Sequence, residues 1–106
     1  MIKLTVLYGH PQDERAFERY YAETHLPIAA KIGGVTRLEL TQFKPGPDGS
    51  KPRYYRMAEI YFQNESQLES QLGSEEGQAA VADLPNFATG GVMMLVGSVE
   101  DSRYEG

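Results

Sequence analysis

His25 is the residue in this chain best placed to do chemistry. Phe17, Tyr21 and His25 recur at every fourth position, a spacing that stacks side chains along one face of a helix. Tyr20 and Thr24 fall beside them, while Arg15, Glu18, Arg19 and Glu23 fill the opposite, wetted side. An imidazole in an aromatic-lined hollow can act as general base or acid on an enol or a phenol. The same ring can orient a ligand, ligate haem iron, or sit in a core with its nitrogens satisfied by backbone or tyrosine hydroxyls. His25 falls in the last turn before Pro27. A helix C-terminus there favours the imidazolium and burial opposes it, so sequence leaves its charge open.

The other candidates are ligand contacts around that histidine. His10 ends a strand just before Pro11, where a loop can deliver a functional group or simply carry a solvated turn residue. Tyr8, Phe17 and Tyr21 supply aromatic wall, and a tyrosine hydroxyl can bond a phenolic or carbonyl ligand. Asp83 and Asn86 flank a proline turn; capping that turn is their simplest role, a polar contact to a pocket the second. Glu75 and Glu76 follow a helix cap and suit its N-terminus.

Missing motifs narrow the chemistry further. The chain has no Gly-Lys-Ser/Thr phosphate loop, no Gly-x-Gly-x-x-Gly and no Gly-x-Ser-x-Gly elbow. With 0 cysteines, a thiolate zinc site and a thiol nucleophile are excluded, and the 2 histidines fit no standard metal spacing. The expectation is a site with no metal and no cofactor.

Charge is distributed unevenly. The formal net charge is −5, and no Lys or Arg lies between Met57 and Ser102. An acidic chain without a basic stripe cannot drive nucleic-acid binding by counterion release, nor dock on anionic lipid. No apolar run approaches the ~20 residues of a membrane-spanning helix. The first residues lack an export-signal pattern, so the expected compartment is the cytoplasm. A small molecule or another protein remains as the natural partner. At 106 residues one domain, 1–106, is expected, with enough core to fold unaided.

The elements that must position His25 follow from pattern. Ile2–Tyr8 alternates as a strand, closed by Gly9-His10-Pro11. A helix begins near Asp13 and runs to a break or kink at Pro27, with a short second helix over 27–32 stopped by Gly33-Gly34. Strands over 35–43 and 54–62 flank a loop rich in Pro and Gly over 44–52. Asn64, with Gln67 as capping-box partner, opens a helix that Gly73 ends. Ser74 opens another, which stops before Pro85. The last strand, 91–99, is apolar on both faces, and a polar tail follows over 99–106.

Strand, helix, strand, strand, helix, strand predicts an α+β ferredoxin-like βαββαβ fold. Its four-stranded antiparallel sheet has the first and third strands central. Helices cover one sheet face. An edge strand apolar on both sides is an association hazard unless something covers it. Face-to-face pairing of two sheets would do so, and a homodimer is therefore expected.

Two motifs carry a resemblance. The run Tyr8-Gly9-His10-Pro11, then Phe17, then 20–27 as Tyr-Tyr-Ala-Glu-Thr-His-Leu-Pro, resembles the EthD family. The segment 82–92, Ala-Asp-Leu-Pro-Asn-Phe-Ala-Thr-Gly-Gly-Val, is similar to that family's second signature. Gly33-Gly34 stands where the family has Pro-Gly, a departure confined to a turn. The resemblance implies a dimeric α+β barrel, with His25 as the characteristic histidine. It also implies membership of a superfamily that includes cofactor-free monooxygenases, cyclases, lactone isomerases and haem binders.

The functional expectation is a homodimer with one hollow per subunit between helices and sheet. The hollow would hold a small apolar or aromatic metabolite for an oxidative or proton-transfer step without a nucleotide cofactor. His25 is the catalytic candidate; Phe17, Tyr21, Tyr8, His10 and Asn86 are the substrate contacts. The alternatives are a non-catalytic binding or accessory protein and, third, a haem binder through His25.

Overall fold

The computed structural model describes residues 1–103; the last three residues of the expected polar tail lie outside them. Strand β1 (Ile2–Tyr8) is followed by helix α1 (Glu14–Tyr20), a π-helical turn (Tyr21–His25) and α2 (Leu26–Ala29). Strands β2 (Val35–Gln42) and β3 (Arg56–Phe62) come next. Helices α3 (Glu65–Leu72) and α4 (Glu75–Asp83), a 3-10 turn (Leu84–Asn86) and strand β4 (Val92–Ser98) complete the chain. All strand pairs are antiparallel, in the order β2-β3-β1-β4, so β1 and β3 are central as expected. This is the ferredoxin-like α+β arrangement.

Register sorts the sheet into two faces. Leu4 pairs with Ile60 and Val96, and Val6 with Ala58 and Met94, while Leu38 and Leu40 of β2 lie opposite Ile60 and Ala58. This apolar face carries the helices, and Leu4, Val6, Tyr8 and Ala58 are buried beneath them. The other face bears Lys3, Thr5, Leu7, Met57, Glu59, Tyr61, Met93 and Leu95 by the alternation of the pleat. Lys3 and Glu59 pair there at 2.6 Å.

Caps fall where the sequence puts them. Asp13 accepts from the Ala16 N–H, Asn64 from Gln67 and Ser74 from Gly77, each satisfying a donor that the helix start leaves orphaned. Strand β3 begins two residues later than expected. Tyr55 nonetheless donates its N–H to the Tyr8 carbonyl and accepts from Phe43, so the ladder extends one position past the regular strand.

Pro27 produces a widened turn where a break or kink is expected. A proline nitrogen cannot donate to the carbonyl four residues back, and its ring crowds that carbonyl. The chain answers by widening the preceding turn: the Leu26 N–H reaches the Tyr21 carbonyl five residues back, and the helix runs on into α2. His25 thus sits inside a continuous helical rod rather than at its C-terminus. Glu18 also departs from the wetted side, because it reaches β3 to bond Arg56 through both carboxylate oxygens.

Candidate functional site

Helix α1 and the π-turn lay an aromatic column across the buried sheet face. Phe17 and Tyr21 stack at 5.4 Å between ring centroids, and Tyr21 stacks on His25 at 6.0 Å. Tyr8 of β1 meets Phe17 and Tyr21 edge-on at 5.5 and 5.7 Å. Phe87, just past the 3-10 turn, closes the end of the column with its ring 4.6 Å from that of His25.

His25 is only 6% exposed and its polar partner, Asp83, 7%. His25 Nδ1 lies 2.9 Å from Asp83 Oδ2. The other carboxylate oxygen, Oδ1, accepts from the Tyr20 hydroxyl at 2.6 Å and from Asn86 Nδ2 at 3.0 Å. Burial alone pushes the Asp83 pKa up, but the bonds from Tyr20, Asn86 and His25 outweigh it and hold the group below its usual value. An ionised carboxylate can only accept, so Nδ1 carries the proton and donates it. In the neutral ring Nε2 then holds the lone pair, and among the described residues it bonds no protein group.

A cavity of about 430 Å³ opens beside that ring, within the range of small-molecule sites. Its walls are aliphatic side chains of the sheet and of α2, α4 and the 3-10 turn, including Leu4, Val6, Leu26, Ala80 and Leu84, with Met94 from β4. Among the described residues, Tyr8, Tyr21 and His25 are its only polar side chains. Leu38 and Leu40, which line it from β2, are 52% and 41% exposed, so the cavity opens at this edge. The residues suited to hold a ligand are therefore few, and no group of three or more His, Cys, Asp or Glu side chains assembles as a metal site among the described residues.

The expected site residues divide into three groups. His25, Tyr21 and Tyr8 line the cavity together. Phe17 packs behind them at 2% exposure, and Asn86 acts on Asp83 rather than on the cavity. His10 stands apart, its Nε2 donating to the Pro52 carbonyl at 2.6 Å and tying the long loop to the end of β1. Sequence reasoning missed Phe87 and the role of Asp83, which lies 58 positions from His25. Their shared motif, Asp83-Leu84-Pro85-Asn86-Phe87, was the available signal.

Two glycines seat this motif. A Cβ on Gly9 would collide with the Gly90 carbonyl, and one on Gly90 with the His10 carbonyl. The backbone of the loop before β4 therefore lies directly on the end of β1, with the Gly9 N–H donating to the Gly91 carbonyl at 3.0 Å.

Comparison with known proteins agrees with this architecture. The EthD domain model matches residues 9–91. An uncharacterized 11.0 kDa protein from the thcB-thcC intergenic region of Rhodococcus erythropolis is 38% identical over 95 residues, covering 90% of this chain and 91% of that protein. The crystal structure of an EthD family protein from Bacillus halodurans shares 31% identity at a TM-score of 0.87, covering 93% of this chain and 98% of the other. Two more distant structures share the fold alone. SnoaB, a cofactor-independent oxygenase from Streptomyces nogalater, has 14% identity and a TM-score of 0.66 over 98% of this chain and 96% of its own. A dimeric ferredoxin-like protein of unknown function from Jannaschia has 17% and 0.67 over 93% and 100%. On the matched span and the 38% relative, the chain belongs to the EthD domain family.

Proposed function

We propose that this protein binds a small, mainly apolar metabolite in the cavity and moves a proton between that molecule and His25 Nε2, using no nucleotide cofactor. One observation carries the reading: Asp83 accepts the hydrogen bond from His25 Nδ1, and Nε2 bonds no protein group among the described residues beside a largely aliphatic cavity. A carboxylate that fixes the tautomer and faces the imidazolium once it forms is the arrangement of an acid–base histidine. Tyr21 and Tyr8 supply the wall, with Phe17 behind. The fold shared with a cofactor-independent oxygenase supports an oxidative outcome by analogy of fold only.

The working unit is a homodimer with one cavity per subunit. Strand β4 supports this: Val92, Met93, Met94, Leu95 and Val96 are each 40–54% exposed, from both faces of one edge strand. No helix is long and apolar enough to cross a membrane, among the described residues.

A thermal-shift screen with phenols, quinones and small carboxylic acids identifies ligands, and turnover of the best ones is then followed in wild type and His25→Ala. The expected loss is ~10²–10⁴-fold. Turnover within about threefold of wild type overturns the assignment, because a general base contributes far more than that. Ligand-induced stabilisation with no turnover by wild type assigns the cavity to holding a metabolite instead.

A further inference from the structure

The cavity also says what kind of polar group its occupant carries. We infer that the occupant is an uncharged, largely apolar molecule with one weakly acidic hydroxyl on an aromatic or enolic carbon, and that Tyr8 donates a hydrogen bond to the oxygen of that hydroxyl. The inference rests on the reading of His25 Nε2 as the proton acceptor and adds the second contact and the ligand class.

Three observations support it. Among the described residues no lysine or arginine lines the cavity, and the nearby Arg56, over the Tyr21 ring, is committed to Glu18 through two hydrogen bonds. A buried carboxylate or phosphate without a cation is costly to desolvate, and the Asp83 charge behind His25 adds repulsion. Charged ligands are thereby disfavoured.

The second observation is the state of the tyrosine hydroxyls. Those of Tyr21 and Tyr55 are sealed off and have no hydrogen-bond partner among the described residues. The Tyr8 hydroxyl bonds no protein group among the described residues, and Tyr8, 2% exposed to bulk solvent, lines the same cavity as His25. Third, Tyr8 and His25 line one cavity and pack against a common ring, Phe87, at 5.7 and 4.6 Å between centroids. Burial, with Tyr21 and Asp83 nearby, pushes the Tyr8 phenol well above its ordinary range and keeps it a neutral donor.

A ligand hydroxyl answers both groups at once, because its O–H donates to Nε2 while its lone pairs accept from Tyr8. In the transfer step the ligand O–H bond breaks and an N–H bond forms at Nε2. The electron pair stays on the ligand oxygen, where the Tyr8 bond strengthens against the new negative charge. The imidazolium is held by Asp83. No oxidant or other reactant enters this step.

The test uses three probes of one shape: 2-naphthol, naphthalene and 2-naphthoate, titrated by fluorescence against wild type, Tyr8→Phe, His25→Gln and Tyr55→Phe. Wild type is expected to bind 2-naphthol most tightly and 2-naphthoate least. Tyr8→Phe weakens 2-naphthol by about fivefold to twentyfold and leaves naphthalene unchanged, the loss of one hydrogen bond. Tyr55→Phe, outside the cavity, changes neither. Equal binding of 2-naphthoate and 2-naphthol by wild type overturns the ligand class. If His25→Gln weakens 2-naphthol and Tyr8→Phe does not, the Tyr8 assignment fails alone. If His25→Gln also has no effect, or none of the probes binds, the reading of the cavity beneath it fails too.

Discussion

At the scale of single residues, Asp83 decides what His25 can do. It accepts three hydrogen bonds, from Tyr20, Asn86 and His25, while 7% exposed, so its charge is fully engaged inside the fold. Asp83→Asn keeps the shape and removes the charge. At neutral pH the variant is expected to be less stable by about 1–3 kcal/mol, the value of charge-assisted bonds weakened or left unmade. The pH dependence has a definite sign. A carboxyl held below its ordinary pKa stabilises the fold in full above that ordinary value, and the contribution disappears as pH falls through the lower folded value. Urea unfolding of both proteins across acid pH should therefore show the gap closing below about pH 4. A gap that stays constant contradicts a charged Asp83. The Glu18–Arg56 pair, in which the hydrogen bond from Arg56 lowers the Glu18 pKa, gives both proteins a shared loss of stability in acid.

At the scale of elements, the π-turn aims the histidine and Pro27 accounts for the turn. Pro27→Ala restores an N–H that can close the ordinary bond to the Glu23 carbonyl. The variant is expected to tighten to an α-turn, rotate the 21–25 segment and separate His25 from Asp83, with little loss of overall stability. A crystal structure of the variant checks this, and a retained π-turn with an intact 2.9 Å His25–Asp83 bond refutes it. Much at this scale was legible in the chain. The four-residue recurrence of Phe17, Tyr21 and His25 predicts the stacked column that forms, and Asp13, Asn64 and Ser74 cap as their residue types require. The Asp83–His25 bond was not legible, because periodicity relates only near neighbours and an aspartate before a proline turn already has a local role. Nor was the widened turn, since a helical proline is compatible with a break, a kink or a π-turn, and packing selects among them. Glu18 misled for a related reason: a helical wheel marks the face opposite the core but not which strand end lies within reach of a long side chain.

At the scale of the whole molecule, the two-sided greasy edge of β4 requires cover. Leu95 and Val96 are 51% and 54% exposed, and one subunit offers nothing further to hide them among the described residues. Leu95→Asp places a charge where a second sheet would pack. It is expected to shift the protein from dimer to monomer in light scattering at micromolar concentration, with the far-UV circular dichroism of the fold retained. A dimer of undiminished affinity would put the contact elsewhere on the surface. The cavity is built from residues of one chain, so a folded monomer should keep its His25–Asp83 pair.

The tautomer of His25 is the most direct reading of the site, and it requires no knowledge of the ligand. Nitrogen-15 NMR of histidine-labelled protein, through the two-bond couplings of the ring, distinguishes a protonated Nδ1 from a protonated Nε2. The neutral form of the ring is expected to carry its proton on Nδ1, with that signal perturbed in Asp83→Asn. A neutral ring protonated on Nε2 would place the lone pair toward Asp83, leave nothing to receive a proton in the cavity, and contradict the proposed chemistry.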